Sequence, residues 1–282
     1  MLKFPEPVFR GGSEALPELI EMNRREEEAR RRILEDLTLE EFFVNLSSRD
    51  RLSKSQVRGT LPVRDDRELI RLVERLVLQA ADRYEKLRLQ WQREAVGYLT
   101  SLGAEALCRV EGGALVVPDG LDYLGLQAEG TPESRVAVRA HRIGNFAGLK
   151  ARYLDLSADS MGDYCLRQAA CCRVDVKTVG QCLGEDGDEL RLCAREAGDW
   201  LMLRSSNCFV DARRVGRLAG LDSDNLELHV HRAGTELGER ARNATIYLHR
   251  DAKSLGQRGT GVIYVRRGFP RWRTSFRIER TL

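Results

Sequence analysis

Asp155, Asp175 and Lys177 are the residues of this sequence whose types and spacing most resemble a catalytic set. Asp155 falls in an apparent strand, Arg152–Leu156, and Asp175-Val176-Lys177 in a second, CCRVDVK. Two carboxylates on neighbouring strands would hold Mg²⁺, and the lysine would orient an attacking water, as in a metal-dependent nuclease. The surroundings favour a plainer reading. TVGQCLGEDGD and another strand follow Lys177, so no helix completes the pattern, and a three-residue motif recurs by chance. His229 and His231 share one face of a strand, a spacing that can chelate a metal, and His249 joins them if its strand is adjacent. Without a cysteine close by in sequence, they read as polar surface residues. The seven cysteines lack the paired spacing of a zinc site and read as free thiols in a reducing compartment, mostly small apolar residues in strands. No G-x-S-x-G is present, and Gly259-Thr260-Gly261 lacks the later glycine and the helix of a dinucleotide loop. The expectation is therefore no metal, no cofactor and, on balance, no catalysis.

The charge distribution says more. The 282 residues carry a net charge of +3, but residues 240–282 hold eleven basic side chains and two acidic ones, a local charge of +9. Arginine supplies 40 of the 46 basic residues, and its guanidinium suits bidentate phosphate contacts. WRTSFRI places Trp272, Thr274, Phe276 and Ile278 on one face of a strand, with Arg271, Arg273 and Arg277 on the other. Arg266 and Arg267 end the strand before it, and Arg258 lies in the preceding loop. This reads as a basic hairpin that contacts phosphates through Arg258, Arg266, Arg267, Arg271, Arg273 and Arg277 while Tyr264 stacks bases. An acidic protein surface, or the chain's own acidic 185–199 region, is the competing partner.

These groups need elements to hold them. Residues 1–104 read as helical. A segment from Glu14 to about Leu37 is interrupted by the charged run NRREEEARRR, and Thr38 with Glu41 makes a capping box for a short helix over 39–46. Residues 47–64 read as a linker. Asp65 and Glu68 start a helix that runs unbroken to about Leu102. Its stripe of Leu69, Val73, Leu76, Tyr84, Leu87 and Trp91 needs a partner, either the preceding helices or a second chain. From residue 105 to 282, short apolar-alternating runs separated by turns predict strands. They include Ala106–Val110, Tyr123–Gln127 and Trp200–Arg204, with short helices at 159–170 and 210–219. The expected class is α+β, an amino-terminal helical hairpin or bundle followed by a mostly antiparallel sandwich or barrel, with no internal repeat of fixed period.

The 42% apolar content excludes a wholly disordered chain. No apolar run spans a bilayer, and the start has no secretory leader pattern. The expected function is a non-catalytic, intracellular assembly protein, cytoplasmic or nuclear, whose helices contact protein subunits, possibly copies of itself. Its basic hairpin would bind nucleic acid, RNA more than DNA, as in a ribonucleoprotein or within a viral particle. A pure scaffold and a Mg²⁺-dependent nuclease are the alternatives.

Overall fold

A computed structural model describes residues 15–46, 52–266 and 274–281. The chain divides into two compact units, residues 1–37 and residues 38–282. The first unit contains helix α1, Ala15–Asp36, whose Ile20, Met22 and Ile33 are exposed.

The second unit begins with α2, Leu39–Asn45. The expected capping box is present there: Thr38 Oγ1 accepts from Glu41 N, and Glu41 Oε2 accepts from Thr38 N. The predicted linker contains a helix of its own, α3, Lys54–Thr60, with a second box between Ser53 and Gln56. Asp65 caps α4, Asp66–Asp82, as its position before Glu68 foretold. The single helix expected over 66–102 is two helices. A 3₁₀ turn at Tyr84–Lys86 separates α4 from α5, Gln90–Val110. Tertiary interactions hold the break. Arg93 Nε donates to Leu87 O, Arg93 stacks over the Tyr84 ring, and Tyr84 Oη accepts from Asp122 N. The apolar stripe is consumed inside the chain, where α4 packs on α5. Leu69, Val73, Leu76 and Leu87 are buried, and Trp91 meets Phe43 edge-on at 5.4 Å. Leu69, Val73, Leu76 and Leu87 thus find their cover within the chain.

The β region is a parallel β-solenoid of about eight turns, not the antiparallel sandwich or barrel expected from the sequence. Its strands are β1 (Ala114–Val116), β2 (Val136–Arg139), β3 (Arg142–Ile143), β4 (Leu154–Met161), β5 (Arg173–Val179), β6 (Arg191–Ala197), β7 (Phe209–Val215), β8 (Glu227–Ala233), β9 (Ala244–Ala252), β10 (Gly261–Arg266) and β11 (Arg277–Thr281). They follow chain order through one sheet, with β3 beside β4, and every pair is parallel. β10 and β11 also pair in parallel, so these described strands do not form the basic hairpin expected at the carboxyl end. Of the segments expected as strands, Ala106–Val110 belongs to α5, and Tyr123–Gln127 and Trp200–Arg204 are turns. Conversely, β4 and β7 occupy part of the expected short helices.

Alternation alone cannot distinguish these folds, since a coil also buries one face of its strand and exposes the other. What the alternation missed is a repeat of 18 residues, the register of Arg173, Arg191, Phe209 and Glu227. The repeat is visible in the glycines: Gly144, Gly162, Gly180, Gly198, Gly216 and Gly234 lie 18 apart. A Cβ on Gly198 would sit 2.6 Å from Gly180 O, so each of these backbones rests on the one beneath. Inside, Leu156, Val174, Leu192, Val210, Leu228 and Ile246 form one buried column. Each such side chain contributes about 1.5–3 kcal/mol by leaving water. A neighbouring column alternates small and large: Gly148, Leu166, Gly184, Met202, Gly220. The Leu166 methyl and the Met202 sulfur lie 2.5 and 2.6 Å from where a Cβ on Gly148 and Gly184 would be. The alternation ends at Gly238, where the Phe276 ring takes the space instead.

The corners use left-handed backbone at four places per coil, mostly without glycine. One corner column is Tyr153, Cys171, Glu189, Asn207, Asn225 and Asn243, with φ between 50° and 56°. A second is Phe146, Tyr164, Cys182, Trp200, Leu218 and Glu236. Side chains stitch coil to coil: Asn145 Oδ1 accepts from Asp163 N, Asp163 Oδ1 from Gln181 N, and Asp199 Oδ1 from Arg217 N. Helix α5 roofs the first coil. Ser101 Oγ donates to Leu126 O, and Thr100 Oγ1 accepts from Gly125 N. Lys54 Nζ bridges Glu105 Oε1 at 3.0 Å and Gln127 O at 2.8 Å.

Candidate nucleic-acid interface on the strand face

The exposed side of β4–β10 carries outward residues in straight rows, because a register of 18, or 17 at the step from β9 to β10, stacks equivalent positions at about 4.8 Å per coil. One row runs through Asp159, Lys177, Arg195, Arg213, His231 and His249. From Lys177 onward all are exposed, and all carry or can carry positive charge. Lys177 Nζ lies 2.6 Å from Asp159 Oδ1, and this hydrogen bond, with a second from His141, holds the Asp159 carboxyl below its usual range. Among the described residues Arg195 and Arg213 form no ion pair, while Arg214 beside them turns to Glu196 at 3.6 Å. His231 and His249 face each other across β8 and β9 with ring centroids 5.0 Å apart.

Two residues earlier on each strand runs a second row, Asp175, Cys193, Asp211, His229, Tyr247 and Tyr264. Its upper half is aromatic. His229 stacks on Tyr247 at 4.3 Å, Tyr247 on Tyr264 at 4.9 Å, and Phe209 leans on His229 at 5.4 Å. His229 Nε2 is 2.7 Å from Glu227 Oε1, which fixes the ring. Cation row and aromatic ladder therefore run side by side, about 7 Å apart, over β8 and β9.

The catalytic set expected from sequence is only half assembled. Asp155 and Asp175 line one groove of about 520 Å³ with Arg173, Arg191 and Cys193. Arg135 Nε, however, donates to Asp155 Oδ1 at 2.7 Å, and Lys177 points to Asp159. Among the described residues no group of three His, Cys, Asp or Glu side chains is placed to hold a metal. The strand of His249 does lie beside that of His229 and His231.

Of the phosphate-binding residues expected at the carboxyl end, Arg267, Arg271 and Arg273 lie outside the described residues, as does the side chain of Arg266. Arg258 is an exposed loop residue, and Arg277 pairs with Glu279 at 2.6 Å. Tyr264 stands in the aromatic ladder. Lys177, Arg195, Arg213, His231 and His249 were missed as a group because they come from five strands. Only the 18-residue spacing, on which each of them falls, joins them in sequence.

The cysteines are all free; Cys165, Cys172, Cys182 and Cys208 are buried and Cys193 is exposed. Burial pushes the Cys165 thiol up to about 12, so it stays protonated and acts as a small apolar group. No described helix is long and apolar enough to cross a membrane. No family model, curated protein or solved structure matches the chain.

Proposed function

We propose that this protein is a non-catalytic binding and assembly protein whose solenoid strand face holds nucleic acid. The supporting observation is the row Lys177, Arg195 and Arg213, extended by His231 and His249, in which the two arginines have no carboxylate partner among the described residues. A row of cations at fixed spacing matches a polymer with regularly spaced negative charge better than it matches a small ligand. The adjacent His229, Tyr247 and Tyr264, stacked on one another with Phe209 beside them, offer their ring edges and the outer end of the stack to bases. The helices serve the fold, as a roof over the first coil. Arg135 at Asp155 and Asp159 at Lys177 speak against a nuclease.

The test is a salt titration of binding to RNA and DNA oligonucleotides, comparing the unaltered chain with Arg195→Glu/Arg213→Glu. The expected result is salt-sensitive binding whose log–log slope falls by about 1.4–1.8 in the variant, from about 0.7–0.9 for each phosphate no longer neutralised. Equal affinity of both proteins at every salt concentration would refute the proposal.

A further inference from the structure

The cation row ends in two histidines, and the aromatic ladder is complete beside those same two positions. We infer that the strand face is a single-strand site that acid strengthens, His231 and His249 completing its phosphate row only when protonated. This rests on the function proposed above. A duplex hides its bases, whereas the ladder a residue pair away from the row is useful only to bases that are unstacked.

The groups around the two rings decide the direction. From β7, Asp211 faces them together with Arg213 and Arg214, and Arg214 is occupied by Glu196. On β8 itself lie His229, held by Glu227, and Arg232. On β9 lie Tyr247, Arg250 and Asp251, and the Asp251 carboxylate is taken by Arg232 at 3.4 Å. From β10 comes the Tyr264 hydroxyl. The surroundings are thus mostly cationic, with Asp211 the acid left to oppose them. Burial first, then His231 and His229, holds the His249 imidazole below its ordinary range, and Asp211 works against this. At neutral pH that ring is uncharged. A bound phosphate reverses the balance, because its charge favours the imidazolium, and proton uptake is then linked to binding.

A fluorescein-labelled oligo(dT) and a duplex of the same length, measured by anisotropy with the full chain at fixed ionic strength, test this. Lowering the pH from about 7.5 to about 5.5 crosses the ordinary histidine range and is expected to tighten oligo(dT) binding about fivefold per imidazole protonated. The salt slope should steepen by about 0.7 for each. His231→Gln/His249→Gln should lose the acid gain. His231→Lys/His249→Lys should bind tightly at both. His141→Gln, whose ring bonds Asp159 at the far, acidic end of the row, should keep the gain. Circular dichroism at both pH values checks that each variant is folded. No binding of either probe at low salt would defeat the proposed function itself. Binding that is insensitive to pH, or an acid gain that survives in the double glutamine variant, would defeat the inference and leave that function standing. Tighter binding of the duplex would overturn the single-strand assignment.

Discussion

Glu189 lies just before β6 in a chain of strands, is exposed, and has φ of 51°. The side chain touches little beyond Cys171, whose thiol donates to Glu189 Oε2 at 3.2 Å, so substitution there tests backbone conformation with almost no loss of packing. Left-handed backbone costs a residue with a Cβ about 1–2 kcal/mol, more for a β-branched one and less for asparagine. Glu189→Val should therefore destabilise by about 1 kcal/mol, and Glu189→Asn should stabilise by about 0.5–1 kcal/mol. Asparagine already occupies the next three coils of the column, where Asn225 Nδ2 donates to Asn207 Oδ1 at 3.1 Å. The gap between the two variants is then about 2 kcal/mol in favour of asparagine. Strand propensity predicts the opposite order by up to about 1 kcal/mol. Thr178, exposed on β5 and outside the left-handed positions, is the control: there valine should exceed asparagine. Urea denaturation followed by circular dichroism measures all four variants. Valine equal to or better than asparagine at position 189 would refute the left-handed corner and the coil geometry built on it.

Gly198→Ala should cost about 2 kcal/mol or more, since the new methyl meets Gly180 backbone at 2.6 Å. Gly59→Ala, with nothing within 4 Å, should be neutral or stabilising; equal effects in thermal melts would be a failure. Lys54→Met strips the cation from Glu105, whose side chain is 11% exposed and keeps its bond from Glu129 N, and should cost about 2 kcal/mol, a buried-pair loss discounted for partial exposure. Adding Glu105→Gln should recover part of it, and a double variant no better than the single one would contradict the assignment. Hydrogen bonding from the Arg217 backbone first, and its side chain also, keeps the Asp199 carboxyl below its ordinary value. A depressed carboxyl gives stability that is fully present above its unfolded pKa and is lost as pH falls through the folded one. Stability should therefore drop below about pH 4 and drop less in Asp199→Asn; identical acid loss in both proteins would count against that role.

The sequence revealed positions more readily than directions. Thr38 with Glu41 and Asp65 with Glu68 mark real helix starts, because a cap is an interaction within four residues. Although β7 reads as a short helix, the inward and outward faces of β5, β6, β8 and β9 also follow from alternation. Strand direction does not, since an antiparallel hairpin and a coil show the same period of two. The 18-residue repeat was readable in six glycines but masked by its corners. Phe146, Tyr164, Cys182, Trp200, Leu218 and Glu236 share a backbone angle and no side-chain chemistry. The break between α4 and α5 carries no Pro or Gly and comes from the pairing of Tyr84 with Asp122, which lie 38 residues apart. The phosphate row was misplaced for a related reason. The count of eleven basic residues after position 239 is a fact about sequence distance, whereas the row is assembled by coil number.

The alternation of Gly148, Leu166, Gly184, Met202 and Gly220 gives the solenoid a unit of inheritance twice as long as its coil. Excising 18 residues preserves every strand register and every corner, yet it sets glycine against glycine or bulk against bulk along that column. Excising two coils together restores the match. Lineages of this chain should therefore gain and lose coils in pairs, and differ in length by even numbers of turns between the α5 roof and the Phe276 plug.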